Sequence, residues 1–162
     1  MMDIRVGQGF DIHRFADAPS AGRRLVLGGV VFEGERALVG HSDADVVAHA
    51  VADALLGAAG LGDIGQHYPD TDPKWESADS LLIVADVARQ LRASGWKIGN
   101  VDCSVVCETP SIAPHREQMN ALLSNAVGAP VSVKGRRAEG LGAIGRSEGV
   151  ACFASAVITR GQ

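Results

Sequence analysis

Residues 41–60 read HSDADVVAHAVADALLGAAG. Ser42, Asp43 and Asp45 supply capping oxygens and early negative charge. The Ala/Val/Leu run behind them predicts a helix to about Ala59, ended by Gly57, Gly60 and Gly62. On both sides the period changes to that of strands. IRVGQGFDIH, residues 4–13, alternates roughly and predicts a first strand. LVLGGVVF, residues 25–32, reads as a hairpin broken at Gly28-Gly29. DIGQHYPDTDP, residues 63–73, is turn chemistry, and a second helix follows from about Ser77 to Ser94, capped by Asp79 or Ser77 and stopped by Gly95. WKIGNVDCSVVCE, residues 96–108, is the longest strand candidate. Pro110 and Pro114 bracket a loop, and HREQMNALLSNAV predicts a third helix ending at Gly128. APVSVKGRR reads as a strand, AEGLGAIGRSEG as a glycine-rich loop and VACFASAVITR as a last strand. The expected architecture is a single-domain α/β sandwich over residues 1–162, a mixed β-sheet with three main helices packed on one face.

Composition narrows the partners. The 162 residues are 46% hydrophobic and carry a net charge of -4 without a run of like charges, so no nucleic-acid surface is expected. No stretch approaches the roughly 20 apolar residues of a membrane span. Met1 to Gly7 lacks the features of a signal peptide, and the expected compartment is the cytoplasm. Cys103, Cys107 and Cys152 form no CxxC pair and read as three reduced, buried thiols. With 20 glycines and only 4% aromatics, close backbone approaches are expected rather than a large aromatic pocket.

Asp11 and His13 sit at i and i+2 on the first strand, so both point to one face. They are either the wet side of that strand or two ligands aimed at one metal. Asp45, His49 and Asp53 recur at i, i+4 and i+8 on the first helix, which puts them on one face as well. Two histidines and a carboxylate with one position open is a standard catalytic zinc set. By spacing alone, decoration and metal site stand level. HSDAD is a good helix cap, yet capping makes no use of His41, and a helix N-terminus also favours a phosphate. Lys134, Arg136 and Arg137 are either solvated charges at a strand end or a cationic rim for phosphate oxygens, with Glu139 available to a hard divalent ion. Arg146 and Glu148 most simply form a surface or interface ion pair.

GFDIH, the 41–60 block with its continuation LGDIG, and YPDTDP closely resemble, in this order, the 2-C-methyl-D-erythritol 2,4-cyclodiphosphate synthase family. GNVD, the Pro114-His115 pair and GRSEGVA extend the resemblance over essentially the whole chain. It implies a homotrimer with active sites between neighbouring subunits. It implies Asp11, His13 and His49 as zinc ligands, and Glu139 as a ligand of magnesium or manganese. His41, Ser42, Asp63, Ile64, Gly65 and Asp70 would hold the methylerythritol phosphate. Cys107, Pro110, Ser111, Ile112 and Ala113 would hold cytosine, Gly135, Arg136 and Arg137 would serve the diphosphate side, and Arg146 is counted among the substrate-binding residues. His41, Asp45 and Arg137 would contribute to catalysis. Helical spacing, not the resemblance, gives the expectation that Asp45 or Asp53 steadies a zinc histidine. Ile12, between the two strand ligands, is expected to point into the core.

The implied reaction is intramolecular. The 2-phosphate of a cytidine diphosphate ester of methylerythritol attacks the β-phosphorus, the cyclic diphosphate closes and CMP leaves. An anionic nucleophile needs no strong base, so positioning and charge neutralisation by zinc and the second metal carry the step. KGRRAE, residues 134–139, departs from the family's Lys-Ala-Thr-Thr-(Thr/Ser)-Glu, and Ser111 stands where lysine often follows the proline. Competing classes are a zinc-dependent phosphoesterase using water, and a silent trimer holding an isoprenoid diphosphate in an axial cavity near Arg146.

Overall fold

A computed structural model describes residues 2–17 and 22–161; the two ends of the expected 1–162 domain, Met1 and Gln162, lie outside the described residues. The first strand, β1 (Met2–Arg14), turns Gly7, Gly9, Asp11 and His13 toward the helical layer. A Cβ at Gly7 would lie 2.1 Å from the Ala54 carbonyl oxygen, and one at Gly9 would lie 2.0 Å from that of Ala50. Only glycine admits this contact, and it seats helix α1 (Val46–Ala59) directly on the strand. The alanines of α1 serve the same approach from the other side. Ten of its residues are buried, and the open stripe is His49, Asp53 and Gly57.

Strands β2 (Leu25–Leu27) and β3 (Val30–Phe32) form the expected hairpin, with Gly28 and Gly29 at φ +58 and +77 in its turn. The stretch 63–73, expected to be turn throughout, instead begins with a short helix, α2 (Ile64–His67), and runs into a 3₁₀ turn at Pro73–Trp75. Asp63 and Asp72 cap these two pieces, so the aspartates that signal turns here start helical turns. Helix α3 (Ser80–Ala93) takes Asp79, not Ser77, as its cap. Strand β4 (Lys97–Val106) leads through a 3₁₀ turn at Ala113–His115 to α4 (Arg116–Val127), then β5 (Val131–Arg136). The expected glycine-rich loop holds one helical turn, α5 (Gly142–Gly145), before β6 (Gly149–Gly161).

The main sheet runs β1-β6-β4-β5, antiparallel except for the parallel β4–β5 pair, so it is mixed as expected. Helix α1 packs on β1 and β6, α4 on β5, and α3 against α1 and α4. All three cysteines are free and buried. Among the described residues no helix lies over the opposite sheet face. There Ile4, Val6, Phe10, Ile12 and Phe153 are exposed, and the Phe10 and Phe153 rings meet at 4.8 Å. Ile12 is thus 51% exposed, which corrects the expectation that it enters the core. Alternation did place it opposite Asp11 and His13, but the face that those two share is the one toward the helices.

Candidate functional site

Where β1 passes under α1, three donors converge. The Asp11 Oδ2 lies 3.0 Å from His13 Nε2 and 2.9 Å from His49 Nδ1, and the two ring nitrogens are 3.3 Å apart. A tetrahedral ion with bonds of about 2.0–2.1 Å needs donors roughly 3.3 Å apart, so the triangle is of the right size for one. His13 Nδ1 donates to the Val39 carbonyl oxygen at 2.9 Å, so in the neutral ring the Nε2 lone pair faces the triangle. Burial raises the Asp11 carboxyl, but hydrogen bonds with His13 and His49 outweigh it and hold the group far below the carboxylate range. For His13, burial works downward and the Asp11 contact wins upward. Among the described residues these three form a metal-capable cluster, and the donor chemistry fits zinc.

The expectation that Asp45 steadies a zinc histidine is corrected by the geometry. Asp45 is fully buried, and its carboxylate accepts from the backbone N–H groups of Gly28, Gly29, Val47 and Ala48 at 2.7–3.1 Å. It caps α1 and ties the β2–β3 turn to it, out of reach of any substrate. Asp53 accepts from the Ile64 N–H at 3.1 Å and so positions α2. The second ring nitrogen of His49 meets Ser42 Oγ at 3.0 Å and Ser80 Oγ at 2.9 Å. Ser80 was not singled out by the sequence, because a serine beside Asp79 at a helix start reads only as capping.

The triangle opens into a cavity of about 500 Å³. His41, Ser42, Ile64, Gly65 and Asp70 line it, so these expected residues come together with the triad. Asp63 does not line it; its Oδ1 accepts from the Gln66 N–H at 2.9 Å. Tyr68 and Trp75 form an aromatic wall with centroids 4.8 Å apart, unforeseen from a chain so poor in aromatics.

A second cavity of about 160 Å³ brings Cys107, Pro110, Ser111, Ile112 and Ala113 against Gly135, Arg136 and Arg137. Glu108 and Arg116 join them, neither singled out by the sequence. Burial pushes the Cys107 thiol up to about 11, so it is a wall and not a nucleophile. Arg137 stands here, away from the triad, and no lining residue is shared between the two cavities. Glu139 is exposed and lines neither cavity; Arg146 also lines neither, and its Nε donates to Glu148 Oε1 at 2.6 Å, the ion pair expected.

The YgbB family matches residues 4–159. A 2-C-methyl-D-erythritol 2,4-cyclodiphosphate synthase from Rubrobacter xylanophilus is 53% identical over 99% of this chain and 98% of its own length. A bifunctional enzyme IspD/IspF from Anaeromyxobacter dehalogenans is 51% identical over 97% of this chain, which spans 40% of that relative. Among solved structures, a Plasmodium falciparum IspF–CDP complex superposes with a TM-score of 0.83 at 31% identity, covering 98% of this chain and 97% of its own.

Proposed function

This chain belongs to the YgbB family, and from that premise we propose that it converts 4-diphosphocytidyl-2-C-methyl-D-erythritol 2-phosphate to the 2,4-cyclodiphosphate with release of CMP. The observation that carries the reading is the Asp11/His13/His49 triangle at the edge of a cavity that also holds His41 and Ser42. A zinc ion held by these three would withdraw charge from the diphosphate. The chain's own groups position the rest. His41 Nε2 donates to the Asp72 carbonyl oxygen at 3.1 Å, which fixes the ring toward the cavity, and Ser42 offers a hydroxyl beside it. The 2-phosphate oxygen forms a bond to the β-phosphorus. The bond from that phosphorus to the oxygen shared with the α-phosphate breaks, and the oxygen leaves with CMP. No water is consumed and no side chain need take a proton from the nucleophile.

In this reading the second cavity takes the cytidine diphosphate end, with Arg136 and Arg137 in place of hydroxyls, and Glu139 holds magnesium or manganese. The site is completed between copies in a homotrimer. The separation of the two cavities and the uncovered apolar face of β1 and β6 support that assembly. No helix among the described residues is long and apolar enough to cross a membrane.

The test is incubation of purified protein with the cytidine diphosphate substrate and a divalent metal, following CMP and the product's mass. Metal-dependent CMP with a cyclic product is expected. An open-chain product one water heavier would make the protein a phosphoesterase, and no CMP at all would sink the reading.

A further inference from the structure

We infer that a hydrogen-bonded chain from Asp43 through Ser80 to His49 decides which nitrogen of His49 faces the metal, making Ser80 and Asp43 positioning residues of this site. The inference rests on the reading of the triangle as a metal site.

Proton accounting carries it. The Asp43 carboxylate only accepts: Oδ1 takes the Asp45 N–H at 3.1 Å and Oδ2 the Ser80 N–H at 3.1 Å. Both bonds lock the group in place. Its Oδ1 also lies 2.5 Å from Ser80 Oγ, and since the carboxylate has no proton to give, the serine donates. A serine hydroxyl has one proton, so toward His49 Nε2, 2.9 Å away, Ser80 presents a lone pair. The ring nitrogen must supply the hydrogen. Ser42 Oγ, 3.0 Å from the same nitrogen, accepts from the Ala44 N–H at 3.2 Å and sends its own proton to the Ser80 oxygen 3.3 Å away, whose hydroxyl is already spent on Asp43, so Nε2 remains the donor.

With its hydrogen on Nε2, a neutral His49 turns the Nδ1 lone pair toward Asp11 and His13. His13 is held in the complementary state by Val39, as above. Two different outer partners, a main-chain carbonyl and a serine–aspartate pair, thus select opposite tautomers on two histidines so that both lone pairs converge. Ser80 is fully buried and sits in the first turn of α3, so the helix start delivers the hydroxyl rigidly. The nearby aspartates on the helix itself are engaged elsewhere, Asp45 by four backbone N–H groups and Asp53 by Ile64.

The experiment titrates the full-length protein with cobalt(II), reading affinity and the visible absorption of the bound ion. Ser80→Ala is expected to weaken cobalt roughly 10- to 100-fold, the usual range for outer partners of metal ligands. Ser80→Thr, which keeps the oxygen, is expected to recover most of that loss, and Asp43→Asn to fall between. Ser80→Ala within twofold of wild type overturns the inference, as does equal weakening in the Ala and Thr variants, which would mark a packing effect. Wild-type protein that takes up no cobalt overturns the metal reading and the inference with it.

Discussion

In the metal-facing cleft every donor stands on a regular element: Asp11 and His13 on β1, His49 on α1, with Ser80 behind them on α3. In the arginine-lined cleft the groups come from the turn after β4, the first residue of α4 and the end of β5, and Arg116, Arg136 and Arg137 are all exposed. The first cleft holds its groups by packing, while the second presents long cations to solvent. Damage to the first should therefore reach stability as well as binding, and damage to the second should stay local.

Gly9→Ala attacks the packing that makes the first cleft. The new Cβ would sit 2.0 Å from the Ala50 oxygen and 2.6 Å from the Ala54 nitrogen, both backbone atoms that move only with the helix. We expect a loss of about 3 kcal/mol, or a melting temperature lower by roughly 10 °C, with weakened metal binding. Glu35→Ala, at the exposed bend after β3, should stay within about 0.5 kcal/mol. Equal melting temperatures for the two variants would show that α1 does not depend on the close approach. His49→Ala comes next. Removing a direct donor should weaken zinc by more than about 100-fold, beyond the range that outer partners control. Zinc analysis after dialysis checks it, and full retention removes His49 from the site.

The second cleft should respond differently. Arg136→Ala with Arg137→Ala is expected to raise KM roughly tenfold with little change in kcat, and to leave thermal stability within about 0.5 kcal/mol. High salt should reproduce part of that loss in the wild type, because exposed charges are screened. Unchanged steady-state kinetics would mean that the two guanidiniums face solvent and the diphosphate is held by other groups.

The same contrast explains what could be read in advance. Period and caps marked β1, the hairpin, α1, α3 and α4, because burial of one face writes itself into spacing. Asp11 and His13 at i and i+2 on a strand, and His49 in one polar stripe on an apolar helix, could be placed on their faces for that reason, but spacing alone left decoration and metal site level, and the family resemblance chose between them. The spacing misled at Asp45, since a face on a helical wheel does not tell that four backbone N–H groups hold the carboxylate. Ser80 was hidden because its partners lie 31 and 37 positions away. Ile12 failed for a physical reason: alternation separates two faces of a strand but does not say which one a helix covers.

The smallest effect concerns the rim of the metal-facing cleft. Tyr68 lines the cavity, and its hydroxyl donates to Asp86 Oδ2 on α3 at 2.7 Å. The Tyr68 hydroxyl and then Arg89 hold the Asp86 carboxyl down to about 2 from its ordinary 3.8. A native value below the unfolded one means that the contact stabilises fully above about pH 4 and loses its contribution as pH falls through about 2. Tyr68→Phe keeps the ring and removes the hydroxyl. It should cost about 1 kcal/mol at pH 7, and the gap to wild type, read from urea midpoints, should narrow as pH is taken from 5 toward 2. Zinc affinity should not change, because the hydroxyl points to α3 and not to the triangle. A gap that stays constant with pH would show that the carboxylate is not what the tyrosine stabilises. A shift in zinc affinity would show that the rim and the donors are one unit, and the boundary of the rigid cleft would then extend to α3 at Asp86.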